Sequence, residues 1–276
     1  MRYELGICQM TVVEDQARNL LKAQALVHEA AVGGAQVVML PEMFCCPYDN
    51  DYFVRYAEPF DGRVTEALRQ MAAAEGIYLI GGSMPEAREG RIYNTCPVFD
   101  PKGDLLGAYS KMHLFDINVS GGVAFKESDT LAAGSQPLVV DTALGKIGVA
   151  ICFDIRFPEL FRLLVEEGAE LICLPGAFNM TTGPAHWELS VRMRAVDNQV
   201  YFAAASPARD EDFSYVAYGH SLLADPWGQI VAEAGCGQEI VRGTIDTAYI
   251  AQVRRELPLL SARRTDVYQL KQINRK

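Results

Sequence analysis

The sequence predicts an α/β protein with sheets in the middle and helices outside. Three observations point there. Strand-like apolar runs alternate with helical patterns from one end of the chain to the other. About half of the 276 residues are hydrophobic, enough for a full core. One stretch also echoes another: GAQVVMLPEMF (34–44) and GAELICLPGAF (168–178) align without gaps, each after a helical pattern. The echo implies two similar halves packed face to face. Taken alone, it fits a chance likeness of two helix-to-strand junctions about as well.

The elements follow in order. YELGICQMTVV (3–13) reads as a buried strand, and DQARNLLKAQALVHEAAV (15–32) as an amphipathic helix that Gly33 and Gly34 end. AQVVMLPEMF (35–44) is a strand running into Pro-Glu. RVTEALRQMAAAEG (63–76) is a helix and IYLIGGSMPE (77–86) one strand. RIYNTCPVFD and GDLLGAYSKMHLFD flank Pro-Lys-Gly as a hairpin, and LVVDTALGKIGVAIC (138–152) is a second pair around a turn. FPELFRLLVEEG and PAHWELSVRMRAVDNQ are helical, AELICLPGAF and VYFAAASPA are strands, and GHSLLADPWGQIVAEA is a further hairpin. Residues 115–137 form a long loop without regular pattern, a length that usually serves function.

Composition narrows the partners. No composition break or linker divides the chain, so one domain over 1–276 is expected, with about 255–276 as a C-terminal arm. A formal charge of −10 excludes nucleic acid and anionic membrane as natural partners, because both select a basic face. The opening residues lack the apolar core of a signal peptide, and no run approaches the roughly 20 apolar residues of a membrane span. A cytoplasmic protein is expected. Seven cysteines, an odd number without Cys-x-x-Cys spacing, read as reduced thiols, and four histidines show no metal-ligand spacing.

Three residues carry chemistry. Glu42 stands at the carboxyl end of a strand buried on both faces, among Met43, Phe44 and Tyr48, where open α/β sheets gather ligands. Lys111 ends another strand, hemmed by Tyr109, Met112 and Phe115, and there wants an anionic partner. Glu127 lies in the long loop in an apolar setting. In AICFDIRFPEL (150–160), Cys152 sits where a strand turns into a helix, with Pro158 near the first turn. Such an elbow exposes a nucleophile and aims backbone N–H groups at an oxyanion. Inert packing is the ordinary alternative for a cysteine, but Asp154, Arg156 and Glu159 crowd charge at this junction. A free thiol titrates near 8.5, so it needs a base or a cation; Glu42 supplies the first and Lys111 the second.

LPEMF with Glu42, YSKMHLFD with Lys111 and ICFDIRFPEL with Cys152, in that order, resemble the signatures of the nitrilase, or carbon–nitrogen hydrolase, superfamily. FKESDTLAAG, LPGAFNMTTGPAHWEL, RAVDNQVYFAAASPARD and GHSLLADPWG resemble its omega-amidase branch, so the likeness spans nearly the whole chain. It implies an αββα four-layer sandwich dimerising to αββα–αββα, no metal or organic cofactor, and a dicarboxylate monoamide such as 2-oxoglutaramate or 2-oxosuccinamate as substrate. Cys152 resembles the nucleophile, Glu42 the base, Lys111 the stabiliser of the tetrahedral intermediate, and Glu127 a further glutamate that positions lysine and substrate. The N–H of Phe153 resembles an oxyanion donor. Arg156 suits a substrate carboxylate, because a guanidinium stays charged and grips two oxygens. A structural ion pair with Asp154 or Glu159 is the alternative. Tyr48, offering its hydroxyl, and Phe178 wall the pocket, although Phe178 fits ordinary packing equally well.

Rival readings are a cysteine peptidase using His113 or His186, a nitrilase or N-carbamoyl amidase with the same triad, and a catalytically silent binding protein of the same fold. His113 lies two residues from Lys111. Of the vicinal pair Cys45–Cys46, the first is placed to line the pocket, although idle thiols are the plainer account. Iodoacetamide is expected to label Cys152 ahead of the other six thiols.

Overall fold

The computed structural model describes residues 1–273, and the last three residues of the expected C-terminal arm, 274–276, lie outside the described residues. The first half opens with β1 (Arg2–Gln9), α1 (Gln16–Val32) and β2 (Val37–Met39). Asp15 caps α1, accepting from the backbone N–H groups of Ala17 and Arg18. Two helices, α2 (Asn50–Tyr56) and α3 (Arg63–Glu75), precede β3 (Tyr78–Ile80). Then come β4 (Met84–Arg88), β5 (Arg91–Phe99) and β6 (Leu105–Ser110). The single strand expected over 77–86 is two. Gly82 takes a positive φ of 64°, and a Cβ there meets the Pro41 carbonyl oxygen at 2.4 Å, so the chain breaks where it passes under that carbonyl.

The long loop holds structure that its sequence does not announce: a small hairpin of β7 (Asp116–Asn118) and β8 (Ala124–Lys126), a 3-10 turn at Glu127–Asp129, and β9 (Leu131–Ala132). The second half runs β10 (Leu138–Thr142), β11 (Gly145–Val149), α4 (Pro158–Glu166), β12 (Leu171–Pro175), α5 (Gly183–Asn198) and β13 (Tyr201–Ala205). It closes with β14 (Leu222–Ala224) and β15 (Ile230–Glu233). β16 (Glu239–Asp246) and α6 (Thr247–Glu256), which the sequence reading left unassigned, follow; β16 returns to pair antiparallel with β1.

Two sheets result, ordered β16-β1-β2-β3-β5-β4 and β10-β11-β12-β13-β14-β15. In each, three parallel strands form the centre: β1, β2 and β3 in one, β11, β12 and β13 in the other. The echo is therefore architectural. α1 and β2 in the first half correspond to α4 and β12 in the second, and the matched glycines make the same turn, Gly34 at φ 94° and Gly168 at φ 99°. β2 shows how the layers form. Val37 and Met39 join one core with Leu5, Ile147, Leu171 and Tyr201 of both sheets, whereas Val38 and Leu40 join a second core with Leu20, Val27 and Leu68 of α1 and α3. Helix, sheet, sheet and helix stack as four layers. Among the described residues no helix is long and apolar enough to cross a membrane.

Beyond α6 the chain lies back on its own second half. Gln199 donates to the Leu257 carbonyl at 2.5 Å, and Arg263 pairs with Glu166.

Candidate active site

Glu42 follows β2 and Cys152 follows β11, so two different sheets deliver the two side chains to one place. The echoed segments differ here in a telling way. Where the first half carries Glu42, the second carries Gly176, and a Cβ on Gly176 meets the Trp187 ring at 3.1 Å and the Cys152 Cα at 3.5 Å. One half supplies a carboxylate; the other makes room beside the thiol.

Cys152 has φ 46°, a left-handed conformation that non-glycine residues rarely adopt, and it begins a 3-10 turn, Cys152–Arg156, just before α4. The N–H of Phe153 lies in the first turn of that helix, where N–H groups lack intrahelical acceptors. The Ala177 N–H donates to Cys152 Sγ at 3.5 Å.

Lys111 is fully buried, and its Nζ donates to Glu42 Oε1 at 2.9 Å and to Glu127 Oε1 at 2.8 Å. Asn94 Nδ2 also donates to Glu42 Oε1 at 2.9 Å, and the Glu42 carboxyl lies within hydrogen-bonding reach of the Cys152 thiol. The Phe115 N–H holds Glu127 Oε2 at 2.6 Å. The structure thus gathers Glu42, Lys111, Glu127 and Cys152 into one buried cluster.

Charge settles the proton positions. Burial lifts the Glu42 carboxyl above its ordinary value; Lys111 opposes this and Glu127 reinforces it. Burial pulls the Lys111 ammonium down, but Glu127 and Glu42 together hold it above its usual range. Burial also pushes the Cys152 thiol well above its ordinary value, with Glu42 adding to the rise and Lys111 countering it. Both directions favour a protonated sulfur beside a carboxyl group of raised proton affinity.

The outer residues fall as follows. The Tyr48 hydroxyl donates to Glu127 and lies 3.3 Å from Lys111 Nζ and 3.4 Å from Glu42, so it is spent within the cluster and the ring is what faces the cleft. Arg156 extends its guanidinium 4.9 Å from the centre of the Phe178 ring, and among the described residues no hydrogen bond or ion pair holds it. Neither alternative ion pair forms: Asp154 is occupied by Tyr109, His113 and Ile151, and Glu159 is exposed to solvent. Phe178 packs on Trp187 with ring centres 4.9 Å apart, and Phe153 packs edge-on against Phe115 at 5.4 Å.

A cleft lined by Glu42, Met43, Cys46, Tyr48, Ala177 and Tyr215 meets the cluster at Glu42, and Cys152, Phe153, Arg156 and Phe178 are not among its lining residues. Cys45 and Cys46 are both buried, as the plainer account has it, and of the two Cys46 lines the cleft. His113 points its Nδ1 to Asp154 at 2.7 Å and His186 is exposed, so neither histidine pairs with the cysteine. Cys236 is exposed, while Cys152 and the other five thiols are buried. Sequence reasoning missed Asn94, Tyr215 and Ala177. Tyr215 packs tilted against Tyr48, with ring centres 4.6 Å apart, and donates to the Ala177 carbonyl, an arrangement made by three distant segments with no local signal.

The chain is 50% identical to the omega-amidase of Xenopus tropicalis, over 98% of each chain. It is 47% identical to the omega-amidase of Homo sapiens over 96% of each chain. Its fold superposes on the crystal structure of Nit3 from Saccharomyces cerevisiae, a member of branch 10 of the nitrilase superfamily, with a TM-score of 0.88 at 39% identity, covering 95% of this chain and 97% of that one. The sequence pattern of the carbon-nitrogen hydrolase family matches residues 4–255. With four layers, an elbow cysteine and a lysine between two glutamates already in place, the chain belongs to the carbon–nitrogen hydrolase family.

Proposed function

We propose that this protein is an omega-amidase that hydrolyses the terminal amide of short 2-oxo dicarboxylate monoamides, 2-oxoglutaramate and 2-oxosuccinamate. The observation that carries the reaction class is Lys111 held 2.9 Å from Glu42 and 2.8 Å from Glu127 in a fully buried cluster that includes an elbow cysteine. In the proposed first step Glu42 takes the Cys152 proton as sulfur attacks the amide carbon, and a carbon–sulfur bond forms. Lys111 and the Phe153 N–H stabilise the oxyanion. The carbon–nitrogen bond then breaks, the proton on Glu42 passes to the leaving ammonia, and a thioester remains. Water, deprotonated by Glu42, attacks the thioester; the carbon–sulfur bond breaks, Glu42 returns its proton to the sulfur, and the acid product leaves, giving its remaining proton to the released ammonia. Glu127 orients Lys111.

Substrate choice rests on Arg156. Its half-buried, unpaired guanidinium lies within electrostatic reach of Cys152, and this supports the capture of a carboxylate at the far end of the substrate. The omega-amidase names of the relatives support the same substrate class. Tyr48 supplies an apolar wall, and Phe178 backs the Arg156 guanidinium. Ammonia release from 2-oxoglutaramate, a nitrile, a ureido acid and glutamine tests the assignment. The oxo-amide is expected to be much the best; preference for the ureido acid overturns the substrate and leaves the mechanism standing.

We further propose a single domain with a C-terminal arm from about 255, working as a homodimer in the cytoplasm without a cofactor. Leu189 and Met193 on the outer face of α5 are exposed and apolar, which supports a second copy there. Seven unpaired cysteines support a reducing compartment.

A further inference from the structure

Asp154 is a fully buried carboxylate that stands outside the thiol–carboxylate–lysine cluster. It accepts four hydrogen bonds: from the Ile151 N–H at 2.9 Å, the Tyr109 hydroxyl at 2.7 Å, the His113 N–H at 3.0 Å and His113 Nδ1 at 2.7 Å. The placement of these donors is informative. Ile151 immediately precedes Cys152, while Tyr109 and His113 stand two residues before and two residues after Lys111. The His113 ring also stacks on Phe157 at the far end of the elbow, with centres 3.7 Å apart and planes 10° from parallel.

Cys152 and Lys111 arrive from different sheets, β11 and β6, so no strand ladder fixes their separation. We propose that Asp154 and His113 form a positioning pair that sets the Cys152 elbow against the Lys111 segment, and so governs the rate of acyl transfer. The proposal rests on Cys152 as the nucleophile. A buried carboxylate saturated with donors holds its partners rigidly, whereas a half-satisfied one costs stability. Reacting groups displaced by about 1 Å lose rate by about 100-fold. His113 is therefore a positioning residue: its contacts are with Asp154 and Phe157, and it locks the carboxylate on which the elbow hangs.

The test uses a Cys236→Ser background, so that Cys152 is followed without the exposed thiol. His113→Asn keeps a side-chain donor near the Nδ1 position; His113→Leu keeps bulk and loses the donor. Two readouts are taken: kcat and KM on 2-oxoglutaramate, and the rate at which iodoacetamide labels Cys152 at pH 7. His113→Leu is expected to lose about 100-fold in kcat, with KM moving less than about threefold. Labelling slows about tenfold as the thiol leaves the ammonium that favours its ionised form. His113→Asn stays within about fivefold of the parent in both. Should His113→Leu fail to fold by thermal melting, Tyr109→Phe removes one donor alone and is expected to lose about tenfold in kcat at unchanged KM.

Equal losses in the two His113 variants, full kcat in His113→Leu, or a loss confined to KM overturns the positioning role. A parent enzyme that releases no ammonia from the oxo-amide is a failure of the proposed function instead; the labelling rates still decide the pair.

Discussion

Lys111 donates from Nζ to Glu42 Oε1 across 2.9 Å with both side chains fully buried, yet the carboxyl of Glu42 binds its proton more tightly than an ordinary glutamate. Burial and the nearby charge of Glu127 outweigh the ammonium. A base must be unprotonated to work, so activity is lost as pH falls through the raised value. The acid limb of kcat/KM is expected above the usual glutamate value of about 4.3. Lys111 is held above its own usual range, so no alkaline loss is expected below about pH 10. Glu127→Gln removes the charge that reinforces the rise, and the acid limb of its residual activity moves down. A limb at or below 4.3 in the parent contradicts this proton balance.

Alkylation separates exposure from reactivity. Iodoacetamide is expected to modify Cys236 first, with no loss of activity, and inactivation to lag behind it, because burial keeps Cys152 protonated. Peptide mapping during inactivation follows both sites; loss of activity that tracks Cys236 refutes the assignment.

Arg156→Gln is expected to lower kcat/KM for 2-oxoglutaramate by about 10- to 100-fold, since a hydrogen bond to a charged group contributes about 1.5–3 kcal/mol. A simple amide without a distal carboxylate loses little. Arg156→Lys recovers only part, because an ammonium lacks the planar fork. Equal losses on both amides indicate a role in folding rather than recognition.

The repeated turn supports a stability prediction. Gly34 and Gly168 share a positive φ, so alanine at either is expected to cost about 1–2 kcal/mol in urea unfolding. Gly168→Ala costs more, because its Cβ meets Lys146 Cδ at 3.1 Å while that of Gly34 meets open space. A neutral Gly168→Ala contradicts the matched-turn account.

Where the sequence was legible, a local cause can be named. The elbow showed in a thiol between an apolar strand and Phe-Pro-Glu, and the four layers showed in two junctions of the same design. Where it was not legible, the cause is distance. Asn94 reaches Glu42 across 52 residues and Tyr109 reaches Asp154 across 45, and neither carries a local pattern. Asp154 looked like crowding charge at a catalytic junction and is instead buried and fully hydrogen-bonded. The strand expected over 77–86 failed at Gly82, whose backbone answers to Pro41 rather than to its neighbours in sequence.

The central claim is that Cys152 carries the acyl group. Wild-type enzyme quenched in acid during turnover of 2-oxoglutaramate, digested and weighed, tests it directly. The predicted result is an adduct of substrate minus ammonia on the peptide that holds Cys152, absent from Cys152→Ala along with all turnover. An adduct on a different residue, or ammonia still released by Cys152→Ala, contradicts it.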